Sequence, residues 1–329
     1  MERFAPKASW RIAYRGRVLD GDVAASVVSV TYTDALHGES DSIELLVDDG
    51  AGRWRGPWFP EKGDEVRLWI GYEGWPLLPC GRFEVDEAES DFAARTMTIR
   101  ALAARITQEI RTKRTDAFED QSLAEIAGKV AARHGLEVVG PVPAVRFARV
   151  TQTAENDLEF LKRLADDYGL VTTLRDRRLV FHERGALEAA PPVVTLEADI
   201  LGKGSTLRSK AKRTYRAARV SWHDPQANAL VTHTEGDPSA STADTLVIEG
   251  RAENAAQASA MARARLARAN AGDAEGLLIW RGEARLVAGN NLTLAGAGRW
   301  SGKYLIQTSR HRLDRAGAYR TEMDVEGVA

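Results

Sequence analysis

Cysteine is almost absent from this 329-residue chain: Cys80 stands alone, which excludes an intramolecular disulfide and any zinc site built from several cysteines. No apolar run approaches the roughly 18 residues needed to span a bilayer, and the start, Met1-Glu2-Arg3-Phe4-Ala5-Pro6, has no apolar signal core. The reading is synthesis in a cytoplasm, with no membrane anchor and no classical export signal. Charge of one sign is missing too: 45 Lys and Arg stand against 47 Asp and Glu, a formal net charge of -2, so no global field draws the chain to nucleic acid or anionic membrane. Low-complexity tracts are absent.

Catalytic signatures are also missing. Gly202-Lys203-Gly204-Ser205 lacks both the upstream Gly and the hydroxyl directly after Lys that a phosphate loop requires, and reads as a turn. The six histidines, His37, His134, His182, His223, His233 and His311, show no ligand spacing for a metal. There is no Gly-x-Ser-x-Gly elbow, and Cys80 has no sequence-local base. Adjacent Asp166 and Asp167 on a helix would point about 100° apart, so they read as a solvated face. The expectation is a chain without catalytic residues, metal or cofactor.

What is present is a β-strand vocabulary, stated twice. Gly63-Asp64-Glu65-Val66-Arg67-Leu68 leads to Gly81-Arg82-Phe83-Glu84-Val85 and then to Met97-Thr98-Ile99. Near the other end, Gly289-Asn290-Asn291-Leu292-Thr293-Leu294 leads to Gly302-Lys303-Tyr304-Leu305-Ile306 and then to Thr321-Glu322-Met323-Asp324-Val325. Glycines mark turns in any antiparallel protein, but a duplicated β unit can occupy two equivalent places in a ring, which points to an assembly component. Gly63, Asp64, Gly81, Phe83, Gly289, Gly302 and Tyr304 are the residues of this motif.

At this length two or three domains are expected, because domains hold roughly 100–200 residues. A 44% hydrophobic and 28% charged composition supports globular cores. Residues 1–105 are almost all strand: Val28, Val30 and Tyr32 alternate with Ser29, Thr31 and Thr33, followed by Ile43, Leu45 and Val47. Between them Asp34 to Asp41 reads as a polar, turn-rich loop. Strands at this density imply a sandwich or barrel.

Residues 106–190 change period. Ser122-Leu123-Ala124-Glu125 is a capping box, followed by an apolar helix face of Leu123, Ile126, Ala127, Val130 and Ala131 that ends at Gly135. A second helix starts near Asn156, buries Leu158, Leu161, Leu164, Ala165 and Tyr168, and stops at Gly169. Strands near Val138, at 170–174 and at 178–182 make this a small α+β insert. Residues 191–329 return to strands at 193–196, 219–222 and 246–249, with one helix from a cap at Asn254 to about Asn270. Arg208, Lys210 and Lys212 recur every second residue, which on a strand places three cations on one face: either a solvated face, or a contact with an acidic neighbour or passing DNA. Arg213, Arg216 and Arg219 continue that run, and Arg111-Lys113-Arg114 is a second cluster.

The order of motifs resembles the late control gene D family of baseplate hub proteins from contractile phages, itself similar to the N-terminal part of type VI secretion spike proteins. The residues that carry the resemblance are Asp41 with Ile43, Leu45 and Asp48; Phe59-Pro60 with Gly63-Asp64; Gly81-Arg82-Phe83; Gln121-Ser122-Leu123; His134-Gly135-Leu136; Glu155 to Leu161; Tyr168-Gly169; Gly302-Lys303-Tyr304; His311; and Tyr319 to Glu322. The resemblance implies an α+β, mainly β fold, with two tube-like antiparallel β-barrel domains joined by a small α+β domain. It further implies a homotrimer that adapts a sixfold tail tube to a threefold spike protein, in the virion tail baseplate, with tube and baseplate proteins as partners and DNA only as passing cargo. Gln121 to Leu136 also resembles a LysM module, whose glycan binding is the alternative reading, although the usual preceding Gly-Asp is replaced by Phe118-Glu119-Asp120.

Overall fold

The computed structural model describes residues 6–37, 40–103, 112–175, 177–209, 214–224, 228–240, 242–249, 252–272 and 274–328. The first region forms β1 (Ala8–Tyr14), β2 (Arg17–Val18), the short helix α1 (Gly21–Ala25), β3 (Val27–Ala35), β4 (Ser42–Asp48), β5 (Glu65–Tyr72), β6 (Leu78–Asp91) and β7 (Thr96–Ala103). Alternation buries one face: Val30, Tyr32, Leu45, Val66, Leu68, Phe83, Met97 and Ile99 share a single core. The expected alternation fails at one place. A bulge against β4 between Val27 and Ser29 turns Ser29 inward and leaves Val28 half-buried.

The middle region forms β8 (Arg114–Ser122), α2 (Leu123–Arg133), β9 (Glu137–Val139), β10 (Arg146–Glu155), α3 (Asp157–Asp167), β11 (Leu170–Arg175), β12 (Arg178–Glu183) and α4 (Arg184–Ala189). Reciprocal capping boxes start both long helices. The Glu125 amide donates to Ser122 Oγ at 3.2 Å and the Ser122 amide to Glu125 Oε2 at 2.7 Å; Asn156 and Glu159 repeat the exchange at 2.9 and 3.1 Å. Leu123, Ile126, Ala127, Val130 and Ala131 of α2 share a core with Phe160, Leu161, Leu164 and Ala165 of α3. Phe160 is fully buried, whereas Leu158, expected inside, lies half-buried at the rim.

The last region forms β13 (Pro192–Glu197), β14 (Thr206–Ser209), β15 (Ala217–Asp224), β16 (Ala229–Gly236), β17 (Thr245–Ile248), α5 (Ala255–Asn270), β18 (Ala274–Arg281), β19 (Asn291–Ala295), β20 (Gly302–Asp314) and β21 (Tyr319–Gly327). Strands β15–β17 make a separate three-stranded sheet covered by α5, with Val220, Trp222, Met261 and Leu266 between them. The other strands join those of the first region in one sheet, ordered β14-β18-β21-β20-β3-β4-β7-β6-β5-β1-β2, with β19 pairing β20 and β13 pairing β19. Among the described residues this path has two ends, and no ladder joins them into a closed barrel. The first half curls back on the second: the Ala8 amide donates to Gly317 O at 3.2 Å, and Tyr72 Oη to Gly282 O at 2.8 Å.

The sheet contains one strand order twice, as β3-β4-β7-β6-β5 and as β14-β18-β21-β20-β19. The register repeats as well. The cross-strand row Tyr32, Ile43, Ala101, Val85 has its counterpart in Leu207, Gly276, Val325, Ile306. No helix of the described residues is long and apolar enough to cross a membrane.

Candidate assembly site

The two copies of the unit turn on equivalent glycines. Gly63 and Gly289 hold φ of +86° and +87°, a region where a side chain is strained. The Gly63 amide donates to Val85 O at 2.8 Å and the Val85 amide to Asp64 O at 2.9 Å; Gly289 donates to Ile306 O at 2.9 Å and Ile306 to Asn290 O at 3.0 Å. Phe83 then stands opposite Val66, as Tyr304 stands opposite Leu292. Gly81 and Gly302 precede them at φ +106° and +157°. Just beyond, both hairpins carry the same one-residue bulge, after Val85 and after Ile306. Directly after these glycines the copies differ in charge: Asp64 accepts from Tyr14 Oη and, at 2.6 Å, from Arg15 Nε, while Asn290 donates to Arg285 O at 2.9 Å. Burial alone would raise the Asp64 pKa, but these hydrogen bonds outweigh it and hold the carboxyl below its ordinary value.

The copies are joined by a main-chain ladder. Beyond its bulge β20 leaves β19 and pairs antiparallel with β3, from Thr308 opposite Ala35 to Asp314 opposite Ser29. Behind this ladder His311 is fully buried, stacked on Tyr32 at a centroid distance of 5.9 Å, with Ser309 Oγ at 3.1 Å from Nε2 and Tyr319 Oη at 2.9 Å from Nδ1. Burial lowers the His311 pKa to about 4, so the ring is neutral near pH 7.

Next to His311 lies a polar cluster that ties all three regions together. Asp34 accepts from the Ala288 amide at 3.0 Å and pairs with Arg175 Nη2; Asp41 accepts from Arg175 Nε at 3.2 Å, from the Ala35 amide at 3.3 Å and from Tyr32 Oη at 3.3 Å. Both carboxylates are fully buried, and Asp34 lies in β3, which corrects its reading as part of a polar, turn-rich loop. Arg175, on β11 of the middle region, compensates them. Burial raises the pKa of both, and the neighbouring Asp34 charge adds to this at Asp41, which is pushed up to about 7. For Arg175 burial acts against the charge, yet the two carboxylates dominate and raise its pKa.

Asp166 and Asp167 are likewise not a solvated face. Asp166 Oδ1 accepts from His37 Nε2 at 3.2 Å, while His37 Nδ1 accepts from the Thr172 amide at 3.0 Å; Asp167 pairs with Arg265 of α5 at 2.6 Å. The carboxylate pair therefore anchors the α2–α3 layer to both of its neighbours. Cys80 is buried, and burial raises its thiol pKa, which removes it as a nucleophile. Gly202 to Ser205 is a turn closed by the Ser205 amide on Gly202 O at 3.1 Å. His134 is buried against Asp157 at 2.7 Å, and among the described residues no group of three or more acidic, His or Cys side chains could hold a metal. Arg208 lies exposed on β14 with Glu275 at 2.9 Å; Lys210 and Lys212 lie outside the described residues.

The model of the phage tail baseplate hub (GPD) family matches residues 79–317. The probable baseplate hub protein of Escherichia phage 186 is 30% identical over 166 residues, and that of Escherichia phage P2 is 29% identical over 171. These matches cover 50% and 51% of this chain and only 42% and 43% of the phage proteins. Among solved structures, a tail protein from Neisseria meningitidis MC58 aligns with TM-score 0.68 at 13% identity, over 97% of this chain and 96% of its own. The 43 kDa tail protein of prophage MuSo2 from Shewanella oneidensis gives 0.66 at 17%, over 97% and 98%. An E. coli type VI secretion component, described as structurally similar to T4 tail proteins, gives 0.56 at 14%, over 97% and 77%. At these identities the structures support the fold.

Proposed function

The chain belongs to the phage tail baseplate hub (GPD) family, whose members are structural components of the virion tail rather than enzymes, and from that premise we propose that it forms a homotrimeric ring carrying two tube-like β units per subunit. Divided at about residues 105 and 190, each subunit gives two places in the ring, with the α+β insert packed on its outside. Three subunits then offer six similar units toward a sixfold tail tube and threefold symmetry toward a spike protein, with DNA as passing cargo. The observation that supports this most is the repeat of one strand order and one register within a single chain. Chains that carry a duplicated unit reconcile two symmetries without needing two genes.

Light scattering over a concentration series, with and without the cognate spike protein, tests this reading. A species of three times the 36.0 kDa chain mass is expected. The glycan-binding alternative has less support, because the residues that suggested it have other roles: Ser122 caps α2, Leu123, Ile126 and Ala127 are core, and His134 is held by Asp157.

A further inference from the structure

We infer that the open face of the sheet, where the second copy meets the first, is a contact for the phosphate backbone of duplex DNA, carried by Arg281, Arg312 and Arg320. This rests on the reading of DNA as passing cargo and names the surface that meets it. The strand register sets the three arginines side by side: Arg281 of β18 stands directly opposite Arg320 of β21, and Arg320 directly opposite Arg312 of β20. Directly opposite residues share one face, and neighbouring strands lie about 4.8 Å apart, so the three side chains leave the sheet within roughly 10 Å of one another. All three are exposed, while His311 and Leu313, on either side of Arg312, are buried on the other face.

Such a row costs stability, because like charges directly opposite each other repel. The carboxylates nearby relieve it only in part. Glu322 serves both Arg310 and Arg320, Glu283 is held by Arg285 at 2.9 Å, and Asp314 accepts from the Ala318 amide at 3.1 Å. Arg312 has neither an ion pair nor a hydrogen bond from its side chain among the described residues. The same row continues through Thr31 onto the first copy as Glu44, Arg100 and Glu87, and there Arg100 is matched by both carboxylates, at 3.2 and 3.0 Å. The unmatched positive charge is therefore confined to the second copy's part of the face.

The surface beside the row is shaped for a backbone. A groove of about 460 Å³ runs along Arg310 and Arg312, floored by the short side chains of Thr31, Thr33 and Ser42, whose hydroxyls make no hydrogen bond among the described residues. The two carboxylates on its rim, Glu44 and Glu322, are each committed to arginine. Hydroxyls and guanidinium groups are the donors that phosphate oxygens accept from, and arginine can meet a phosphate with two parallel N–H groups. No aromatic side chain lines the groove, so bases have nothing to stack on, and the contact reads the backbone rather than the sequence. Three arginines in each chain give a weak, salt-sensitive and sequence-neutral hold, which suits a duplex that has to slide past.

The test is fluorescence anisotropy of the full chain with a labelled DNA duplex of arbitrary sequence over a salt series, with light scattering on the same samples. Arg312→Gln should weaken binding about tenfold at low salt and lessen the slope of log affinity against log salt by about one for each chain engaged. Because it relieves a row of like charges, this variant should keep or raise its melting temperature. Arg178→Gln removes the same charge from an exposed position in the middle region and should leave binding unchanged. Undiminished binding by the double variant Arg281→Gln and Arg312→Gln, or an equal loss with Arg178→Gln, overturns the site. Competition by polyglutamate as strong as by duplex at equal charge overturns nucleic acid as its occupant. A trimer by mass that does not bind duplex overturns this contact and leaves the ring standing, whereas a strict monomer whose binding is lost with Arg312→Gln overturns the ring and supports the contact.

Discussion

Asp41→Asn isolates the titration of the buried junction. Asp41 and His311 flank Tyr32, and burial shifts them in opposite directions on the pH scale. Asp41 is raised from 3.8 to about 7, so its contribution to stability is full below its unfolded value and is lost as the pH rises through about 7. His311 is lowered from 6.5 to about 4, so its contribution is full above 6.5 and is lost as the pH falls through about 4. At about 1.4 kcal/mol for each pH unit, the first effect amounts to roughly 4 kcal/mol and the second to roughly 3 kcal/mol. In the wild type the His311 contribution offsets part of the loss at Asp41 across the same window, while Asp34, also raised by burial, acts in the direction of Asp41. Asn cannot ionise, yet its carbonyl still accepts from the Ala35 amide, so Asp41→Asn should expose the His311 slope. The stability of the variant relative to wild type should rise by roughly 4 kcal/mol between about pH 4 and about pH 7. Thermal or urea unfolding followed at several pH values reads this directly. Parallel wild-type and variant profiles, within about 1 kcal/mol throughout, would refute the burial argument for Asp41.

Ile126→Asp places an unpaired carboxylate in the α2–α3 core, where Ile126 is fully buried, and should cost several kcal/mol, about 4 or more, read as loss of the middle region's cooperative unfolding. Ser122→Ala removes an acceptor from the start of α2 and should cost about 1 kcal/mol by urea midpoint, with the fold intact by circular dichroism. Gly282→Ala would set a Cβ 1.9 Å from the Tyr319 ring; because Tyr319 hydrogen-bonds His311, the variant should lower the melting temperature by about 5 °C or more.

The sequence announced local features and concealed distant ones. The capping box at Ser122 was legible because it is complete within four residues, and the start of the next helix near Asn156 was legible too, although its own box with Glu159 was not read. The repeat was legible because glycines with positive φ and alternating strands leave a spaced pattern. The burial of Asp34 and Asp41 was not, since their compensating cation, Arg175, is more than 130 residues away and nothing local distinguishes them from turn residues. The sharing of β20 between the two units was hidden for a similar reason: its partner changes from β19 to β3 at a bulge, which sequence alternation alone does not reveal. Asp166 and Asp167 read as solvated because helical geometry places them apart, and each then found a partner on a different neighbour.

The most direct test of the hub account is the end-on view of the assembled protein in electron micrographs. The account predicts a closed ring with six near-equal lobes around a central opening, built from three chains. A ring with any other number of lobes, or isolated single chains at every concentration and with the spike protein present, would contradict it.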